Sequence, residues 1–168
     1  MNSRGNARDI VLISVIVFAL AIGAFVAYFI NDTYTSEMLK VDEINNSQPT
    51  REVLEASQET ANRLDYIVFS VFLGMVLALM VTSWFVAGNP VFMFVYFIMM
   101  IIGVALSAIN SNIWSDVSTA SVFGSQVAAF PLTNHILSYF PIYMAAVGLI
   151  GLVVMFAKPY MSEGGGSF

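Results

Sequence analysis

The sequence predicts an all-α polytopic membrane protein: four transmembrane helices, with a central helical hairpin and a partly helical extramembrane loop. Three observations carry that prediction. First, two long apolar runs, 64–87 and 91–110, are joined by Gly88-Asn89-Pro90, and after Asp65 neither contains a charged side chain. Each supplies the roughly 20 apolar residues that a helix rising about 1.5 Å per residue needs to cross about 30 Å of hydrocarbon. Second, the 168-residue chain is 58% hydrophobic and only 10% charged, against about 25% charged residues in soluble domains. Third, the runs lack the alternation of apolar and polar residues that a transmembrane barrel strand requires.

The chain forms a single integral membrane domain over 1–168, with spans expected near 10–30, 64–88, 91–110 and 137–157. The first apolar run follows a short polar start containing Arg4 and Arg8. It is too long for the h-region of a signal peptide, so it reads as a membrane-spanning helix. The acidic 31–63 loop holds seven carboxylates against Lys40, Arg51 and Arg63. Within it, Pro49-Thr50 is a helix-start signal with Thr50 as the N-cap, so a helix from about Arg51 should run into the second span. Ser36 to Val41 extends the first span outward.

The 111–135 segment is too polar in its first half to span. It predicts a short helix over Val117–Phe130, interfacial in preference to re-entrant. Pro141 fits the first turn of the fourth span, where its missing N–H costs little. Lys158-Pro159 ends that span, and the Gly-rich 159–168 tail should be flexible.

Helices in lipid approach closely only where side chains are small. Candidate packing stripes are therefore Ala19, Gly23 and Ala27 in the first span, and Ser70, Gly74, Ala78 and Thr82 in the second. Gly103 and Ser107 mark the third, and Gly148 and Gly151 the fourth. Tyr28, Tyr66, Trp84, Trp114 and Tyr139 stand near span ends and read as interfacial anchors.

Several function classes are disfavoured. A net charge of −5 with scattered basic residues argues against direct nucleic-acid binding. With no cysteine there is no thiolate chemistry, and a lone His135 makes no metal cluster. No nucleophile–base pair, phosphate loop or HExxH motif is present, so neither an enzyme nor a cofactor is expected. The span interiors lack the ionisable groups that ion-coupled transporters keep there. Asn31-Asp32-Thr33 and Asn45-Asn46-Ser47 match the glycosylation sequon, a short and often accidental motif.

The expected function is structural or accessory, within a larger membrane assembly. It could be a virion membrane protein scaffolding a lipid layer, or a small subunit of a bacterial membrane complex. An oligomeric passive pore is the alternative. The expected partners are the bilayer and other membrane or shell subunits, including further copies of the chain. Arg4 and Arg8 before the first span, and the acidic loop after it, put both termini on the cytoplasmic or interior side.

Overall fold

Apolar residues spaced three to four apart stack on one face of a helix, and this spacing builds every long element of the chain. The computed structural model describes residues 5–86 and 90–163, with side chains for 9–85 and 91–157. The Gly88-Asn89 turn, Arg4 and the Gly164–Gly166 tail therefore lie outside the described residues.

α1 (Gly5–Met38) buries Val17, Ala21, Phe25 and Tyr28 along one stripe. A four-residue turn of helix, α2 (Asp42–Asn45), leads into α3 (Gln48–Asn62), which buries Leu54 and Ala61. The chain stays helical through Arg63 into α4 (Leu64–Val86), whose inward residues are Val68, Phe72, Val76 and Leu79. α5 (Pro90–Thr119) buries Tyr96, Met100, Ser107 and Trp114. Two short helices, α6 (Gly124–Val127) and α7 (Pro131–Ser138), cross the bundle end and lead to α8 (Phe140–Glu163), which buries Phe140, Met144 and Met155. Four stretches are long and apolar enough to span a bilayer: Asp9–Met38, Gln48–Phe85, Val91–Thr119 and Phe140–Ala157.

Three helix boundaries differ from the expectation. Lys158-Pro159 does not end the last helix and 159–163 are not a flexible tail, since α8 continues to Glu163 and Pro159 removes one backbone donor without stopping it. α3 starts with Ser47 as N-cap rather than Thr50, which lies inside the first turn. Pro49 explains the shift, because its fixed φ and missing N–H suit the first helical positions rather than the residue before them. The Val117–Phe130 helix does not form. α5 instead carries on to Thr119, its last turn supported by the Ser118 and Thr119 hydroxyls donating to the Ser115 carbonyl.

The four long helices form a ring in which α1 and α8 each lie against both α4 and α5. α4 and α5, consecutive in sequence, face each other across a diagonal and barely touch among the described residues. The 64–110 hairpin is thus a pair of successive spans but not a packed pair. Neighbours reveal the directions. Ile10 meets Gly103 and Ser14 meets Asn110, so α1 and α5 run parallel. Met100 meets Gly148 and Tyr96 meets Gly151, so α5 and α8 run antiparallel.

Small residues make the closest approaches. A Cβ on Gly103 would stand 2.6 Å from Ile10 Cγ2, and one on Gly151 or Gly148 would fall onto Tyr96 or Met100. The stripes of α1 and α4 behave differently. Ala19, Gly23, Ala27, Ser70, Gly74 and Ala78 are exposed, and nothing lies within 4 Å of a Cβ built on Gly23 or Gly74. Each stripe sits two residues from the buried series, Ala21–Phe25 in one helix and Phe72–Val76 in the other. Two residues are about 200° of rotation, so the stripes point away from the bundle. Thr82 is half-buried, with its hydroxyl donating to the Leu79 carbonyl.

Replacing Gly151 by Val should lower the thermal unfolding midpoint in detergent by the equivalent of about 1–3 kcal/mol of overpacking. Gly74→Val, on the outward stripe, should leave the midpoint within a degree or two. Equal losses at both positions would contradict the assigned faces.

Candidate functional site

At the end of the bundle opposite the termini, the chain leaves its apolar pattern and builds a braced polar head. Its base is aromatic. Phe25 of α1 lies edge-on to Trp114, Phe123 and Phe130, with ring centroids 5.3, 5.5 and 5.6 Å away. Tyr28 and Phe29 add edge contacts to Phe130 and Phe123. Edge-to-face pairs each contribute about 0.5–1.5 kcal/mol beyond burial, because the positive ring edge meets the negative face. The indole N–H of Trp114 donates to Asn134 Oδ1 at 2.9 Å, which satisfies the one polar atom of that ring.

Above the aromatic seat, α3 is fastened to α1 by side-chain hydrogen bonds rather than by ion pairs. Asn31 Nδ2 donates to Gln58 Oε1 at 2.8 Å, while Ser57 Oγ donates back to Asn31 Oδ1 at 2.7 Å. The Asp32 carboxylate accepts from Gln58 Nε2 at 2.9 Å and from Gln126 Nε2 at 3.2 Å. One carboxylate thereby ties three elements, α1, α3 and α6. Hydrogen bonds to a charged acceptor are among the stronger kinds, with net contributions of about 1.5–3 kcal/mol.

The head's cations are all engaged locally. Lys40 pairs with Glu37, Arg51 with Glu55 and Arg63 with Glu59, each one helical turn apart and largely exposed. Such pairs stabilise by a few tenths of a kcal/mol at most, but they neutralise the basic groups. Asp42, Glu43 and Glu52 remain exposed without an ion pair among the described residues. Val41 and Val53 stand exposed in the same region.

A second carboxylate holds the crossing segment down. Asp65 is 2% exposed and accepts from the backbone N–H of Leu132 at 3.0 Å and of Thr133 at 2.8 Å. α7 begins at Pro131, and its N-cap position is Phe130, whose side chain cannot accept a hydrogen bond. The first N–H groups of a helix have no internal partner. Asp65, 67 residues earlier in the chain, supplies the acceptor that Phe130 lacks, and its charge suits the positive end of the helix.

The packing residues expected from sequence fall into two groups. Gly103, Ser107, Gly148 and Gly151 are buried between helices, whereas the α1 and α4 stripes lie outside. The anchors divide too. Tyr66, Trp84 and Tyr139 stand exposed at helix ends, but Tyr28 and Trp114 are buried within the aromatic seat and do not reach a lipid interface. His135 lies against Tyr139 and Tyr143, and among the described residues no three His, Asp or Glu side chains converge into a metal site.

Sequence reasoning missed Asp32, Gln58, Gln126 and the capping role of Asp65. Only one signal pointed to the last, a Pro131 helix start preceded by no Ser, Thr, Asp or Asn. Asp65→Ala should cost about 1–3 kcal/mol, since two buried N–H groups lose their acceptor. Hydrogen exchange at Leu132 and Thr133 should accelerate most, while Asp65→Asn retains part of the protection. Neither a family model, nor a curated protein, nor a solved structure matches the chain.

Proposed function

We propose that this protein is a non-enzymatic structural or accessory component of a larger membrane assembly, with its acidic head as the docking surface. The observation that carries this reading is the construction of the head. Residues 31–38 take α1 about 12 Å past its apolar stretch, and α3, 15 residues long, extends about 22 Å beside it. Side-chain hydrogen bonds brace α3 against α1 and aromatic edges lie beneath them, while Asp42, Glu43 and Glu52 stand exposed without an ion pair among the described residues. A fixed, negatively charged projection suits a partner with a basic face, because complementary charge sets orientation and speeds encounter.

The bundle itself supports a packing role. Side chains fill the space between the helices, with Met100 on Gly148 and Tyr96 on Gly151. The outward stripes of α1 and α4 suit close approach by another membrane helix, from a second copy or a neighbouring subunit. The same stripes are the one observation favouring an oligomeric pore. Against a pore, the Ser70 hydroxyl is engaged with the Tyr66 carbonyl of its own helix. The setting that fits is a virion lipid layer beneath a protein shell, or a bacterial membrane complex, with both termini on the interior side.

Extraction in mild detergent should recover a partner protein with the chain. Reversing three charges, Asp42→Lys, Glu43→Lys and Glu52→Lys together, should lose that partner without changing the unfolding midpoint. Recovery of the isolated chain at every detergent strength, or stoichiometric ion leakage from sealed vesicles, would overturn the reading.

Orientation has its own test, eased by the absence of cysteine from the sequence. A single cysteine placed at Asn45 should react with an impermeant maleimide from outside the cell. One placed at Ser162 should react only after the membrane is opened.

A further inference from the structure

The end of the bundle opposite the head carries one more feature that packing alone does not explain. Asp9 lies in the first turns of α1, at the membrane boundary of the span that begins there. Its side chain is half-buried and lines a groove of about 200 Å³ between α1 and α4. The remaining walls are mostly apolar, from Leu12 and Ile13 on one helix and Met75, Ala78 and Leu79 on the other, with Thr82 as the one further polar residue, its hydroxyl donating to the Leu79 carbonyl. Among the described residues no donor stands within bonding distance of the Asp9 carboxylate. The other half-buried or buried carboxylates among the described residues, Asp32 and Asp65, are each held by two N–H groups.

A carboxylate set against apolar surface at the membrane boundary is costly unless a cation or hydrogen-bond donor meets it. The groove opens sideways toward lipid, since Leu12 is 51% exposed and Ala78 is exposed as well. The occupant must therefore combine an apolar chain with a positively charged, hydrogen-bonding group at the depth of the headgroups. We propose that this groove is a binding site for a phospholipid with a primary ammonium headgroup. Its acyl chain lies along Leu12, Ile13, Met75 and Ala78, and its ammonium donates to Asp9. A trimethylammonium headgroup carries the same charge but has no N–H to donate, so the site discriminates between the two. A second Asp9-directed cation, from a partner protein, would leave the apolar wall without an occupant.

The test uses the full chain reconstituted in bilayers containing equal amounts of phosphatidylethanolamine, phosphatidylcholine and phosphatidylglycerol. The protein is then stripped in mild detergent, and the retained lipid is quantified by mass spectrometry. Retained phosphatidylethanolamine should exceed phosphatidylcholine roughly fivefold, the scale of one hydrogen bond that the first headgroup can donate and the second cannot. Asp9→Asn should abolish the preference while leaving total retained lipid similar. Ala78→Phe, which fills the groove from an exposed position, should reduce total retention. Equal retention of the two zwitterionic lipids by the unaltered protein would overturn the proposal without recourse to any variant. A preference for phosphatidylglycerol, or an undiminished preference in Asp9→Asn, would overturn it as well.

Discussion

The head of this protein depends on a carboxylate reaching across 67 residues to the start of another helix. Asp65 sits where α3 becomes α4, and it accepts the two N–H groups that α7 cannot satisfy from within. The crossing segment would otherwise bury unpaired donors, each costing about 1–3 kcal/mol. With α7 fixed, Phe130 lies under Phe25 and Tyr28, and Trp114 can reach Asn134. The aromatic seat and the polar brace above it follow from that one anchorage. The same residue stands at the junction of two helices, in the first turn of α4 just after α3 ends.

Much of this architecture was legible in the residues, and the division has a physical basis. Span length and apolarity are local properties, so all four spans could be read from composition alone, and α3 could be seen continuing toward the second. Neighbour relations are not local. A short Gly-Asn-Pro connection suggests two helices side by side, yet α4 and α5 sit on a diagonal because α1 and α8 pack against both. The small-residue stripes misled for a similar reason. Small side chains permit close approach but do not say to which helix, and in α1 and α4 the bulkier series two residues away won the interior. Trp114 was read as an anchor because it stands near a span end, but its burial depends on Phe25 and Asn134, both distant in sequence.

Polar groups in this chain are used chiefly to connect elements. Asp32, Asn31 and Gln58 bind α3 to α1, Asn110 reaches the Ser14 backbone and hydroxyl, and Ser111 reaches the Ser138 carbonyl. Interhelical hydrogen bonds of this type are worth modest amounts each, about 0.6 kcal/mol on average in a membrane bundle. Their value here is positional, because they fix the rotation of helices whose apolar faces would otherwise tolerate several registers. A rigid frame of this kind fits the structural role proposed for the chain.

The diagonal placement of α4 and α5 bears on how the chain enters a bilayer. When the second and third spans have been inserted, they have little to hold on to in each other. Among the described residues α1 is the earlier long helix that packs against both, so it offers each of them a surface before the last span is in place. Without α8, Phe72 on one side and Tyr96 and Met100 on the other would look onto an unfilled slot. The last helix is therefore the keystone: its two glycines and Met144 close a space that three earlier helices have prepared but cannot fill.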